Sequence, residues 1–237
     1  MTRSALSTRA KRGGAHNEDA ARADPARGLF VVADGVGGAT AGEVASSAAA
    51  TAAMECMAQW TGGGDPGGVL VEAAGRAHEA LRALVAQDAG MQGMGATIVA
   101  GLVEGERLFV MNVGDSRAYV IRGSNIIRVT QDHTLVEAML REGSIDEKTA
   151  RTHSLRHVLS QALGSGDAPT PSVRQIALRP EDLILMCTDG LTEALRDDEI
   201  LAIVTKAGRE PSAACGALLE AGVREDDCTV LVVEYAL

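Results

Sequence analysis

Aromatic side chains are scarce: the 237 residues include two Phe, two Tyr and one Trp. A close-packed interior must therefore be assembled from Val, Leu, Ile, Ala and Met, and apolar residues do reach 46%. Long apolar runs are missing too. None approaches the roughly 18 residues that a membrane-spanning helix needs, and "MTRSALSTRAKRGG" lacks the apolar segment of a secretory leader. No membrane association and a cytoplasmic location are expected. Cys56, Cys187, Cys215 and Cys228 stand far apart without a C-x-x-C pair, which reads as four reduced, mostly buried thiols. Positive charge is in short supply, with 22 Lys and Arg against 32 Asp and Glu, a net charge of -10, and no dense basic stripe. Such a chain repels phosphodiester backbones, so nucleic acid is not an expected partner. The phosphate-cradling string G-x-x-x-x-G-K-[ST] does not occur, and Thr40 stands where a dinucleotide-binding loop needs glycine.

What is present reads as one globular domain. Charged residues, at 23%, are near the globular average, and the length fits one domain or at most two small ones. "LFVVA" predicts a strand that stops on Asp34. Apolar residues then recur at helical spacing from Gly42 to Trp60, and again from about Val69 to Gln87. Short β-rich runs follow: "ATIVAGLV", "RLFVMNV", "RAYVIR" and "NIIRVT". "VEGE" and "RGSN" are tight enough to join them as antiparallel hairpins. The pattern turns helical from His133 to Leu163, broken at "EGSID". Strands are expected at "SVRQIAL", "DLILMC" and "CTVLVVEYAL", with helices near 197–207 and 211–222. About ten strands and paired helices form an α+β pattern of two packed sheets with helices outside.

Acids gather at the ends of the apolar strands. Asp34 follows "LFVVA", Asp115 follows "LFVMNVG", Asp189 follows "LILMCT", Asp226 and Asp227 precede "CTVLVV", and Glu18 and Asp19 sit in "HNEDA". One such acid is an ordinary turn or helix cap. Two carboxylates near 4 Å repel by about 4 kcal/mol at an effective dielectric of 20, so a convergent set requires cations. All-oxygen ligands suit Mg²⁺ or Mn²⁺. Two such ions can share a bridging water, supply hydroxide at neutral pH and clamp a phosphoryl group, which is the chemistry of phosphoester hydrolysis. The glycines at 35, 37, 38 and 42 fit this picture, letting backbone approach a metal and leaving room for water and substrate.

The strings "HNEDA", "VVADGVGG", "MGATIV", "NVGDSRAYVIR", "QDHT", "HVLSQALG", "LMCTDGLT" and "EDDCTVLVV" occur in that order. Together they resemble the metal-dependent PPM (type 2C) serine/threonine protein phosphatases of bacteria, from about Lys11 to Val233. The resemblance implies a four-layer αββα sandwich over residues 1–237, with a flap subdomain at about 137–154. It implies hydrolysis of phosphoserine and phosphothreonine in proteins by direct attack of a metal-bridging water, with two Mn²⁺ or Mg²⁺ ions and room for a third. Asp34 would bridge the two metals, and the Gly35 carbonyl would bind one. Glu18 would lie in the metal shell, and Asp19 would orient water. Asp189 and Asp226 would hold the other metal, with Asp227 standing where the family usually has Asn. Asp115 matches the aspartate that helps bind a third, looser metal, and His153 matches a flap histidine. Phosphorylated proteins, a Ser/Thr kinase or its targets, are the implied partners of a monomer.

Two positions depart from the family pattern. Val36 stands where animal members carry a histidine, a place where bacterial members commonly have an apolar residue. Gly14 stands where a phosphate-binding arginine is usual, and Arg12 is expected to reach the phosphate through the altered turn instead. Two other functions stay open at this point: a pseudophosphatase that binds phosphoproteins without turnover, and a hydrolase of small phosphorylated metabolites.

Overall fold

The computed structural model describes residues 3–236, without the side chains of 39 and 40. Ten strands form two five-stranded sheets. The first runs β1 (Arg3–Arg9), β10 (Cys228–Glu234), β9 (Leu183–Cys187), β6 (Arg117–Arg122), β7 (Asn125–Arg128). The second runs β2 (Asp19–Asp24), β3 (Leu29–Val36), β4 (Gly95–Glu104), β5 (Arg107–Val113), β8 (Ser172–Ala177). Every neighbouring pair is antiparallel. The two expected hairpins close at Glu104↔Arg107 and Arg122↔Asn125.

Strand alternation builds the layers. Along β3, Phe30 and Val32 point between the sheets, where they meet Val120, Ile184, Met186 and Leu231 of the other sheet. Leu29, Val31 and Ala33 point outward. There they pack under α1 (Ala39–Met57) and α2 (Pro66–Gln87) through Ala45, Ala49, Ala53, Leu70, Ala73, Ala77 and Leu81. With so few aromatics, alanine on the inner faces brings these helices close to the sheet. The other outer face carries α5 (Asp189–Thr192), α6 (Asp197–Lys206) and α7 (Pro211–Ala221), which bury Leu191, Ile200, Val204, Ala214, Cys215 and Leu218 over Tyr119, Ile121, Leu183 and Leu185. The result is the four-layer α+β sandwich. The four cysteines are free, and Cys187, Cys215 and Cys228 are buried.

Three local expectations change. Strand β3 does not stop at Asp34 but continues to Val36, because Gly95 and Ala96 of β4 offer it partners. Strands β1 and β2, "RSALSTR" and "DAARAD", carry almost no β-branched or aromatic residues. They are edge strands held by one neighbour each, so pairing overrides weak propensity. The stretch from His133 to Leu163 is helical only in α3 (Leu135–Arg141) and α4 (Glu147–Thr152), which touch each other across "EGSID". After Thr152 the chain runs back without helix. It is tied by the Leu135 N–H to the Val158 carbonyl at 2.9 Å and by the Ser160 N–H to the His133 carbonyl at 2.8 Å.

Candidate active site

The topology brings the strand-end acids to one rim. Asp19 opens β2 and is the direct cross-strand partner of Asp34 in β3. From the other sheet, Asp189 follows β9 and opens α5, while Asp226 precedes β10. These acids sense one another. Burial first, then Asp19, Asp189, Asp115 and Asp226, hold the Asp34 carboxyl well above the ordinary carboxylate range. Asp189 is raised by burial, then by Asp115, Asp226, Glu193 and Asp19. Burial pushes Asp19 and Asp115 each to about 7. Asp226 is raised chiefly by burial, with Asp227 and Glu18 adding to it. Asp115 sits toward one side of the group, where its nearest charged influences are Asp132, Arg117 and Glu193.

The residues fit cations. The Oδ1 atoms of Asp19 and Asp189 are shielded from solvent and accept no hydrogen bond. Buried acceptors are rarely left so without a positive ligand. A Cβ at Gly42 would come within 2.2 Å of Glu18 Oε2, so only glycine leaves that carboxylate its place. A Cβ at Gly35 would lie 1.9 Å from the Gly42 carbonyl. That glycine therefore serves the approach of α1 to the strand as well as exposing its own carbonyl.

Several partners position the acids. Thr188 Oγ1 donates to Asp19 Oδ2 at 2.9 Å and accepts from the Thr229 N–H at 2.9 Å, joining the two sheets at the rim. Asp227 is a clamp: its two oxygens accept the Lys11 and Glu18 N–H groups, each at 2.6 Å. Both oxygens are thereby engaged with backbone, whereas Asp226 gives only Oδ1 to backbone, accepting the Asp227 N–H at 2.9 Å, and keeps Oδ2 for the cluster. Gly190 lets this clamp form, since a Cβ there would sit 2.0 Å from the Asp227 carbonyl. The arginine of "VGDSR", Arg117, holds Asp132 at 2.7 Å and has a structural role.

The histidines and cations are arranged differently from the sequence expectation. His153 caps a local turn, its Nδ1 accepting the Leu155 N–H at 3.1 Å. His157 instead meets the rim: its Nδ1 lies 2.6 Å from Glu193 Oε1. The ligand atoms of His157, Asp189 and Glu193 lie within 4.8 Å of one another. Arg12 is exposed and contributes its backbone N–H to the Arg224 carbonyl at 2.7 Å. Lys11 is the cation that reaches the acids, with Nζ 2.7 Å from Glu18 Oε1. Its pKa is raised, first by that hydrogen bond and then by the charges of Glu18, Asp227 and Asp226. Val36 is 44% exposed and lines a cavity of about 440 Å³ beside the rim, with Leu159, Ser160 and Pro169. Lys11, Thr188 and His157 escaped the sequence reading. Thr188 and His157 lay inside quoted motifs, but nothing in their spacing revealed which atoms they meet.

Comparison with known proteins agrees with this geometry. The family described as "Protein phosphatase 2C" matches residues 7–217. The serine/threonine protein phosphatase PstP of Mycobacterium tuberculosis is 35% identical over 225 residues, 93% of this chain and 42% of its own. The chain thus spans less than half the length of that relative. The crystal structure of the Mycobacterium tuberculosis phosphatase PstP/Ppp superposes with a TM-score of 0.90 at 31% identity, covering 100% of this chain and 99% of that one. A structure of the PstP catalytic domain in complex with two manganese ions gives a TM-score of 0.84 at 30% identity, covering 100% and 99%.

Proposed function

Because the chain belongs to the protein phosphatase 2C family, we propose that it is a metal-dependent protein phosphatase acting on phosphoserine and phosphothreonine. The observation that carries this reading is the set of six acids at one rim, with two buried carboxylate oxygens lacking any hydrogen-bond donor. Asp34, the Gly35 carbonyl, Glu18, Asp189 and Asp226 would hold two cations, Mn²⁺ or Mg²⁺. The named manganese complex of the PstP catalytic domain supports that choice. Asp189, Glu193 and His157, with Asp115 close by, would hold a third. Bound there, the ions would supply hydroxide at neutral pH and charge stabilisation for a phosphoryl group.

The chain's own residues do the rest. Asp19 Oδ2 is fixed by Thr188, leaving Oδ1 as a buried acceptor that would orient water at the site. Asp227 fixes the 11–18 loop through two backbone bonds and so holds Glu18 in place at the start of β2. Val36 and residues of the 159–169 segment line an open cavity, which suits a peptide substrate.

Among the described residues no helix is long and apolar enough to cross a membrane. We assign a cytoplasmic monomer whose partners are phosphorylated proteins, including a Ser/Thr kinase or the targets of one. Free, buried cysteines support a reducing compartment. The test compares phosphate release from a phosphothreonine peptide and from a sugar phosphate, both with Mn²⁺. A strong preference for the peptide is expected, and a preference for the sugar phosphate would overturn the assignment.

A further inference from the structure

The amino-terminal loop holds a cation whose placement suggests a second task. The base of Lys11 is fixed: its N–H donates to Asp227 Oδ1 at 2.6 Å, and its carbonyl accepts the Gly14 N–H at 3.0 Å. Its stem occupies the space that a side chain at position 14 would need. A Cβ built on Gly14 would come within 2.9 Å of Lys11 Cγ and 3.2 Å of the Lys11 carbonyl. The tip has a single partner, Glu18 Oε1 at 2.7 Å. Glu18 is itself buried, at 8% exposure, and faces Gly42 with its other oxygen.

We propose that Lys11 is the substrate-binding cation of this site, its ammonium exchanging Glu18 for the phosphate dianion when divalent cations take up the Glu18 carboxylate. The inference rests on the phosphatase reading above and assigns the residue that recognises the substrate's phosphate.

The physics favours the exchange. A divalent ion at Glu18 outcompetes an ammonium for the same oxygens. The released Nζ remains within a side-chain swing of the rim, since a four-carbon stem carries three rotatable donors. Phosphate oxygens are strong acceptors for such a group. Arg12 has no comparable tie to the acids among the described contacts: its side chain is exposed, and its backbone N–H is held by the Arg224 carbonyl. Gly14 has a defined use here, as the residue whose missing side chain lets Lys11 lie along the loop. Because its φ is outside the left-handed region, a substitution there acts through space alone.

The test is equilibrium binding, independent of turnover. Mn²⁺ affinity is measured first on wild type, Lys11→Met, Lys11→Arg, Gly14→Ala and Arg12→Ala. Inorganic phosphate is then titrated into each Mn²⁺-loaded protein. Lys11→Met is expected to weaken phosphate tenfold or more, the loss of a charge-assisted bond of about that worth. Its Mn²⁺ affinity should be equal or tighter, because the competing ammonium is gone. Lys11→Arg should retain most of the phosphate affinity, Gly14→Ala should weaken it, and Arg12→Ala should change it by less than about twofold. Thermal melts check that each variant is folded, and Lys11→Gln replaces Lys11→Met if the latter is not. Unchanged phosphate affinity in the folded neutral variant overturns the proposal. So does a phosphate loss that appears only together with a loss of Mn²⁺ affinity, or one that follows Arg12→Ala instead. If wild type hydrolyses no phosphopeptide yet shows the Lys11-dependent phosphate binding, the phosphatase reading fails and the binding role of Lys11 stands.

Discussion

Neutralising Asp34 should stabilise the metal-free protein while abolishing its stabilisation by metal. Asp19 and Asp34 are direct partners across β2 and β3, which puts their Cβ atoms about 5 Å apart. Two charges at that separation repel by about 3 kcal/mol at an effective dielectric of 20. Proton uptake is the alternative to bearing this repulsion. Holding Asp34 protonated at pH 8, against an unfolded value of 3.8, costs at most ~6 kcal/mol at 1.36 per pH unit. The cheaper alternative sets the gain from Asp34→Asn at pH 8, about 3 kcal/mol at that dielectric. For a chain of this size each kcal/mol moves Tm by about 2–4 °C, so the variant should melt at least ~6 °C higher in EDTA. The pH dependence has a definite sign. The Asp34 pKa is raised in the fold, so between 3.8 and that raised value the native chain holds more protons than the unfolded one. Stability is full below 3.8 and is lost as pH rises through the window. At pH 5 the same ceiling falls to ~2 kcal/mol, and the gap between the two proteins should shrink accordingly. With Mn²⁺ at 100-fold excess over Kd the gap should narrow by about 2.7 kcal/mol, since only wild type gains that binding energy. Differential scanning fluorimetry at pH 5 and pH 8, with EDTA and with Mn²⁺, reads all four values. An Asp34→Asn variant that melts at or below wild type in EDTA at pH 8 would refute the reasoning.

Three further outcomes follow from single contacts. Asp227→Ala removes the acceptor of two backbone N–H groups and should lower stability by about 3 kcal/mol, whereas Asp226→Asn should weaken Mn²⁺ binding at least tenfold without lowering the metal-free Tm. Denaturant melts and Mn²⁺ titration distinguish them. His157→Ala should remove the weakest Mn²⁺ binding event, and His153→Ala should leave it, as counted by isothermal titration. His78 is buried in α2, its Nδ1 accepting the Gly164 N–H at 3.1 Å and its Nε2 lacking a partner. Burial lowers its pKa below 6.5, so stability is full above 6.5 and falls as pH drops through the window beneath it. The slope is at most ~1.4 kcal/mol per pH unit, and His78→Gln should flatten it in denaturant melts between pH 7 and 5.

Much of this architecture is written into local pattern. β3, β4, β5, β9 and β10 are continuous apolar runs because both their faces are covered, and turns such as "VEGE" and "RGSN" leave no choice but antiparallel pairing. The acids at the strand ends were legible for the same reason: a carboxylate at the rim of a dry strand stands out. The edge strands β1 and β2 were not legible. "RSALSTR" and "DAARAD" become strands only because β10 and β3 offer them hydrogen bonds, a tertiary fact with no local signature. The reach of long side chains was equally hidden. Arg12 and Lys11 are adjacent in sequence, yet the turn at Gly13 and Gly14 sends one to solvent and the other to Glu18. His153 and His157 lie four residues apart, but α4 ends at Thr152, so helical spacing could not say which would face Glu193. The Asp226–Asp227 doublet was ambiguous until hydrogen bonds separated a clamp with both oxygens on backbone from a carboxylate with one oxygen left over.

The most direct test is phosphate release from a phosphothreonine peptide by the folded protein, with Mn²⁺ and with EDTA, beside Asp34→Asn. Release that requires Mn²⁺ and disappears in the variant is the predicted result. A folded, Mn²⁺-loaded wild type that releases no phosphate, or release that persists in EDTA or in Asp34→Asn, would contradict a metal-dependent phosphatase built on this acid cluster.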